Sequence, residues 1–258
     1  DGYSRFQAIY GECDSEGKPL SDNLYVGASN SSGAYAVFYT DGTVDLTLLA
    51  SGTGLLTGAA YDTSCHYIST EGGGVYQVAS SSGIPSGTFV QISATSGLKV
   101  TGMINAGPVI ALCGNGDLYT VSGAAAALKG NAGINFYGAA AVWTDGADTL
   151  LLAATGSTSS SNSTYGYREL NISGGLPGTI TMVEPGAQSP STVDDNKRYR
   201  DTIEPKPVNA IFQAPDEVDP SRTLFASVQG RGTAKDNTDG GLWSYRERSG
   251  VKQWNAEE

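Results

Sequence analysis

The densest cluster of chemically active side chains in this 258-residue chain is Asp194-Asp195-Asn196-Lys197-Arg198-Tyr199-Arg200-Asp201. Three cations around a tyrosine would grip an anionic group through charge-assisted hydrogen bonds, or stack on a sugar ring. Arg231 and Lys235 add two more cations in a later loop. A charge run is equally the mark of a solvated loop whose charges pair among themselves. Cys65 and His66 have the residue types of a thiol nucleophile and its base. As neighbours on a strand they point to opposite faces, so the pair reads as structure. The three cysteines, Cys13, Cys65 and Cys113, form no CxxC pair, and His66 is the one histidine. That is too few closely spaced ligands for structural zinc. An odd count leaves a free thiol unless a partner chain supplies another, and Cys65 and Cys113 belong to apolar strands that would bury them.

Asp236-Asn237-Thr238-Asp239-Gly240 is oxygen-rich, but Lys235 stands at the first ligand place of a calcium loop. Asp145-Gly146-Ala147-Asp148 reads as a hairpin turn. Gly72-Gly73-Gly74 precedes a strand, not a helix, so it is no phosphate cradle, and no GxSxG is present. Asn30-Ser31-Ser32, Asn162-Ser163-Thr164 and Asn171-Ile172-Ser173 fit a glycosylation pattern that a chain rich in Ser and Thr meets by chance. We expect no metal and no cofactor.

Composition narrows the class. Charged residues make up 16% and the 39% hydrophobic content is enough for a packed core, while Gly, Ser and Thr take the place of charge. That is turn and strand chemistry. The net charge of −11 disfavours nucleic acid, because an acidic surface repels phosphate. No apolar run approaches the ~20 residues of a membrane helix. A targeting or lipid-anchoring segment ahead of Asp1, removed in the mature form, would leave a membrane tether open.

The elements that must position these residues form a repeat. Five stretches place a small or turn-forming residue before an alternation: Gly33 to Val37, Gly74 to Val78, Asp117 to Val121, Ser163 to Tyr167 and Gly241 to Tyr245. Each has an aromatic at its third place: Tyr35, Tyr76, Tyr119, Tyr165 and Trp243. The period of two sends third and fifth places to one face of a strand. The aromatics are 41, 43, 46 and 78 residues apart, and an insertion before the last explains its doubled spacing. An apolar strand precedes each (24–29, 66–70, 109–113, 150–155, 224–229). Before that comes a strand rich in small residues (6–10, 57–61, 101–104, 137–142, 208–212). A fourth follows (43–49, 88–93, weakly 127–130, 179–183, 251–255). Ala124 to Leu128 is the best helix candidate, one turn at most.

This repeat resembles the degenerate β-propeller repeat proteins of bacteria that act outside the cytoplasm, over essentially the whole chain. It lacks the GH…WD, kelch and Asp-box signatures. The resemblance implies an all-β, five-bladed β-propeller of four-stranded antiparallel blades in one domain, 1–258. The blades fall at 5–50, 55–94, 98–133, 136–184 and 206–257, with an inserted loop at 185–205. Loops between second and third strands share one face with the connections between blades. The long segments 155–163, 185–205 and 229–239 then gather on that face around blades 4 and 5. Long loops on a rigid scaffold are where binding concentrates. The opposite face collects Glu12, Asp14 and Glu16 with Asp216, Glu217 and Asp219 if blade 5 closes on blade 1. Five-bladed glycosidases resembling arabinanases carry paired carboxylates on inner strands. Here Asp62 and Glu204 are the nearest candidates. The leading expectation is a non-catalytic binding or scaffold module for a protein or glycan, located in the periplasm, at the cell surface or secreted. Lys197, Arg198, Tyr199, Arg200, Arg231 and Lys235 would be its contact residues. The rivals are a carbohydrate-active enzyme and a structural subunit of a surface or envelope assembly.

Overall fold

The computed structural model describes residues 3, 5–11, 23–41, 45–81, 83–85, 87–145, 148–156, 166–182, 208–213, 224–228, 241–248 and 251–256. The chain is all-β, a five-bladed β-propeller of antiparallel blades, each with its strands in sequence order. It divides into two compact units; the first runs to Ala132 and holds three blades, and the second begins at Gly133 and holds two. No helix among the described residues is long and apolar enough to cross a membrane.

In the first unit, blade 1 is β1 (Arg5–Tyr10), β2 (Leu24–Ser29), β3 (Ala34–Thr40) and β4 (Thr47–Thr53). Blade 2 is β5 (Leu56–Tyr61), β6 (Cys65–Thr70) and β7 (Gly74–Ser81), and β7 pairs with two short strands, β8 (Ile84–Pro85) and β9 (Val90–Gln91). Blade 3 is β10 (Val100–Asn105), β11 (Val109–Cys113), β12 (Asp117–Ser122) and β13 (Ala125–Asn131). In the second unit, blade 4 is β14 (Asn135–Asp145), β15 (Asp148–Gly156) and β16 (Gly166–Asn171). Blade 5 is β17 (Val208–Gln213), β18 (Leu224–Val228), β19 (Gly241–Arg248) and β20 (Val251–Ala256).

Three sequence expectations are corrected. Among the described residues blade 4 has three strands, not four. Thr179 to Met182 form no strand, because Gly174, Gly175, Pro177 and Gly178 hold the approaching chain in turns. The stretch Ala124 to Leu128 is no helix: it enters β13, where Ser122 pairs with Ala125 across a tight turn and the ladder to β12 overrides alanine's helix propensity. The fourth strand of blade 1 lies four residues later than read, at Thr47–Thr53.

Apolar side chains fill the seams between sheets. One cluster joins blades 1 and 2 through Tyr25, Tyr35, Val37, Leu56, Ile68 and Val78. Another joins blades 2 and 3 through Tyr67, Val75, Val109, Ala111 and Val121. A third joins blades 4 and 5 through Trp143, Leu152, Tyr167, Leu224, Trp243 and Trp254. The repeat is not uniform in which seam it fills. Tyr35 and Val37 face the next blade, whereas Tyr76 and Val78 face the previous one. The register explains it. Ser29 pairs with Tyr35, one place into β3, while Ile68 pairs with Tyr76, two places into β7. A one-residue offset sends a strand's side chains to the other face.

Every blade shares a feature invisible in the apolar pattern. The pairing of its first and second strands shifts near the start of the first: Phe6/Ala8, Leu56/Gly58, Val100/Gly102, Phe136/Ala140 and Val208/Ala210. These are bulges, which bend an inner strand and re-aim one side chain. The bulged residue is polar in four blades: Gln7, Thr57, Thr101 and Asn209. In blade 4 the irregularity is wider and includes Tyr137.

Candidate functional site

The six contact residues expected from sequence, Lys197, Arg198, Tyr199, Arg200, Arg231 and Lys235, lie outside the described residues. So do Glu204, Cys13, the 236–240 loop, Tyr165 and the two acidic loops, Glu12 to Glu16 and Asp216 to Asp219. What the structure describes is the strand ends from which these loops spring. In blade 4, the 157–165 connection leaves β15 after Gly156 and enters β16 at Gly166. In blade 5, the 229–240 connection leaves β18 after Val228, which pairs with Val208 at the start of β17. The chain through 183–207 also arrives at Val208. Its upstream end follows the 172–182 run, which contains no strand.

At that end of blade 4 the structure adds a residue that the sequence did not single out. Tyr137 occupies the bulge of β14 and is 47% exposed. Its ring lies against Gly156, where a Cβ would come within 2.9 Å of the ring. A glycine is therefore required under the tyrosine, at the point where the 157–165 loop begins. Asn135 pairs with Gly156, which places Tyr137 at the loop end of the sheet. Beside it, Thr155 is buried, and its hydroxyl has no hydrogen-bond partner among the described residues. An exposed aromatic where other blades carry polar residues is a stacking platform for a ring or an apolar side chain. The signal that could have found it is the single aromatic among Gln7, Thr57, Thr101 and Asn209 at equivalent places.

Asp62, the described one of the two channel-mouth carboxylates, is occupied by structure. Its Oδ1 accepts the backbone N–H groups of Ser64 at 3.0 Å and Cys65 at 2.8 Å, closing the turn between β5 and β6. Its Oδ2 accepts the Tyr67 hydroxyl at 2.7 Å, and the Tyr67 oxygen accepts the N–H of Gly123 at 2.7 Å. This chain ties blade 2 to the β12–β13 turn of blade 3. Burial, then the bond to Asp62, raises the Tyr67 phenol well above its usual range. A carboxylate so engaged has little capacity left to protonate or attack a substrate.

Cys65 and His66 do point apart. Cys65 sits in the seam between blades 2 and 3, and His66 packs on the rings of Tyr25 and Tyr61 toward blade 1. Cys65 and Cys113 are buried and free. Burial raises both thiols, Cys113 to about 12, so neither carries nucleophilic thiolate at neutral pH. His66 is buried; its Nε2–H donates to the Gly83 carbonyl at 2.8 Å. Burial pushes its pKa down to about 4, against the opposing pull of that bond and of Asp62. Among the described residues no group of three or more His, Cys, Asp or Glu could hold a metal.

No protein-family model matches the chain, and no curated protein matches it in sequence. Among solved structures it is similar to the WD40 β-propeller domain of Doa1, at 12% identity and a TM-score of 0.48, covering 98% of this chain and 69% of that one. It is similar to BamB from Moraxella catarrhalis, at 15% identity and a TM-score of 0.44, covering 91% of this chain and 61% of that one. It is also similar to an ancestral GH74 enzyme, at 11% identity and a TM-score of 0.54, covering 97% of this chain and 31% of that one. This chain thus spans less than two thirds of the last two. At such identities the likeness concerns the fold alone.

Proposed function

We propose that the protein is a non-catalytic binding or scaffold module, acting outside the cytoplasm, that meets a protein or glycan through the loop-bearing end of blades 4 and 5. The observation that carries this reading is Tyr137, held half-exposed over Gly156 at the root of the 157–165 loop. Burying an aromatic surface of this kind against a partner contributes strongly to binding, and Tyr is enriched at contact hot spots. The 183–207 and 229–240 connections contain the cations Lys197, Arg198, Arg200, Arg231 and Lys235 in their sequence. Rigid sheets beneath, packed through Trp243 and Trp254, support such loops. The engagement of Asp62 favours binding over glycoside hydrolysis. The location outside the cytoplasm is part of this proposal and is supported by the sequence resemblance alone.

Two variants test the site: Tyr137→Ala, and the triple replacement of Lys197, Arg198 and Arg200 by alanine. Each is expected to weaken retention on immobilised anionic glycans, or capture of the partner from native envelope, at least tenfold, about 1.4 kcal/mol or more. Unchanged binding by both variants removes this end of the blades from consideration. Turnover on a glycan panel that Asp62→Asn or Glu204→Gln abolishes would replace the binding reading with an enzymatic one.

A further inference from the structure

The seam between blades 1 and 2 ends in a cluster of rings centred on His66. Tyr61 of β5 stacks on the imidazole with ring centroids 4.4 Å apart, and Tyr25 of β2 meets it edge-on at 4.5 Å. Tyr10 of β1 lies 6.0 Å away, also edge-on. Val78 of β7 is the cross-strand neighbour of His66. The Gly83 carbonyl, at the tip of the β7–β8 hairpin, accepts two donors: the His66 Nε2–H and the Tyr25 hydroxyl. One atom of the tip is thus tied to both blades. The other imidazole nitrogen, Nδ1, is buried and has no hydrogen-bond partner among the described residues; the Tyr10 hydroxyl is likewise unpartnered.

We propose that His66 is an acid-released latch: as the neutral Nε2–H tautomer it pins the β7–β8 hairpin to the seam of blades 1 and 2, and a second proton on Nδ1 frees the hairpin. The chemistry of the position carries this. A tie to a carbonyl requires only a donor, which a glutamine would supply without titrating. Histidine supplies it with a second nitrogen that is buried and makes no hydrogen bond to the described residues. Protonation there buries a charged donor without a partner, a state that proteins avoid by opening. Among the described residues, the titratable groups facing the ring from β1, β2 and β5 are the phenols of Tyr10, Tyr25 and Tyr61. Burial raises Tyr10 further from the acid range. Asp62, after β5, is the nearby carboxylate; its charge favours the protonated ring, but its oxygens are committed to Ser64, Cys65 and Tyr67. Burial outweighs it, so the folded ring takes its proton later than a free imidazole. With the folded pKa depressed, the closed hairpin binds fewer protons than the open one between about pH 4 and the ordinary histidine value of ~6.5. Closure is therefore fully favoured above ~6.5 and is lost as pH falls through that window.

Amide hydrogen exchange of residues 79–85, corrected for intrinsic rate, tests the latch between pH 7 and pH 4. In the wild type, protection of the hairpin is expected to fall at least tenfold while β11 of blade 3 stays protected. In His66→Gln, which keeps a donor without the titration, the hairpin should change less than twofold. A flat wild-type profile, an equal fall in His66→Gln, or simultaneous loss of β11 overturns the proposal. If His66→Gln does not fold, the ring protons of this single histidine decide the matter by NMR. A midpoint well below 6.5 that coincides with the hairpin's opening supports the latch, and an ordinary or non-coincident midpoint overturns it.

Discussion

Replacing Trp243 with alanine is expected to destabilise the unit that holds blades 4 and 5 by about 3–5 kcal/mol. Trp243 is 1% exposed and sits where the two sheets meet, against Leu152, Ala154 and Tyr167 of blade 4 and Val208, Leu224 and Trp254 of blade 5. Removing an indole from such a seam loses its transfer energy and leaves a cavity that two paired sheets cannot close. The indole of Trp254 donates to the Tyr167 hydroxyl at 3.2 Å in the same seam, so part of the polar order there depends on the packing. Chemical denaturation followed by the fluorescence of Trp143 and Trp254, both in this unit, reads the effect. A loss below about 1.5 kcal/mol would mean that the seam is not the unit's main core.

A comparable cost is expected for Gly74→Ala, about 3 kcal/mol or more. Gly74 opens β7 with φ of +76°, a region that L side chains enter at a penalty of ~1–2 kcal/mol. A Cβ there would also overlap the backbone carbonyl of Thr95. That carbonyl cannot retreat. Thr95 is fully buried, its Oγ1 accepts the N–H of Val75 at 2.8 Å, and the N–H of Ile92 donates to the Val75 carbonyl at 2.8 Å. Gly97 is the matched control. Its φ is +77°, but a Cβ there meets nothing within 4 Å. Gly97→Ala should therefore cost only the conformational term, about 1 kcal/mol. Thermal or urea denaturation of the two variants separates steric overlap from backbone strain. Equal costs would show that the Thr95 contact is unimportant.

The second strands were the most legible elements. Leu24–Ser29 and Val109–Cys113 were read with the bounds observed, because nearly every residue in them is buried and the apolar run is continuous. The outer strands were least legible. β4 and β13 face solvent along much of their length, so no alternation marks them, and an alanine-rich stretch then carries helix propensity into a strand. The register offset between Tyr35 and Tyr76 was hidden because the shared motif counts residues from the turn, while the facing depends on which residue of the turn first pairs. For the site, loop length was readable from spacing alone, but the role of Tyr137 was not. It depends on a bulge and on a glycine 19 positions later, and neither leaves a mark in the apolar pattern. The opposite orientation of Cys65 and His66 followed directly from the two-residue period of a strand.

The central claim is that partner contact falls on the loop-bearing end of blades 4 and 5. Amide hydrogen exchange of the full chain with and without its captured partner tests it most directly. Protection on binding is expected in 157–165, 183–207 and 229–240 and around Tyr137, with the 12–22 and 214–223 loops unchanged. Protection confined to those latter loops, with no change around Tyr137, would contradict the account.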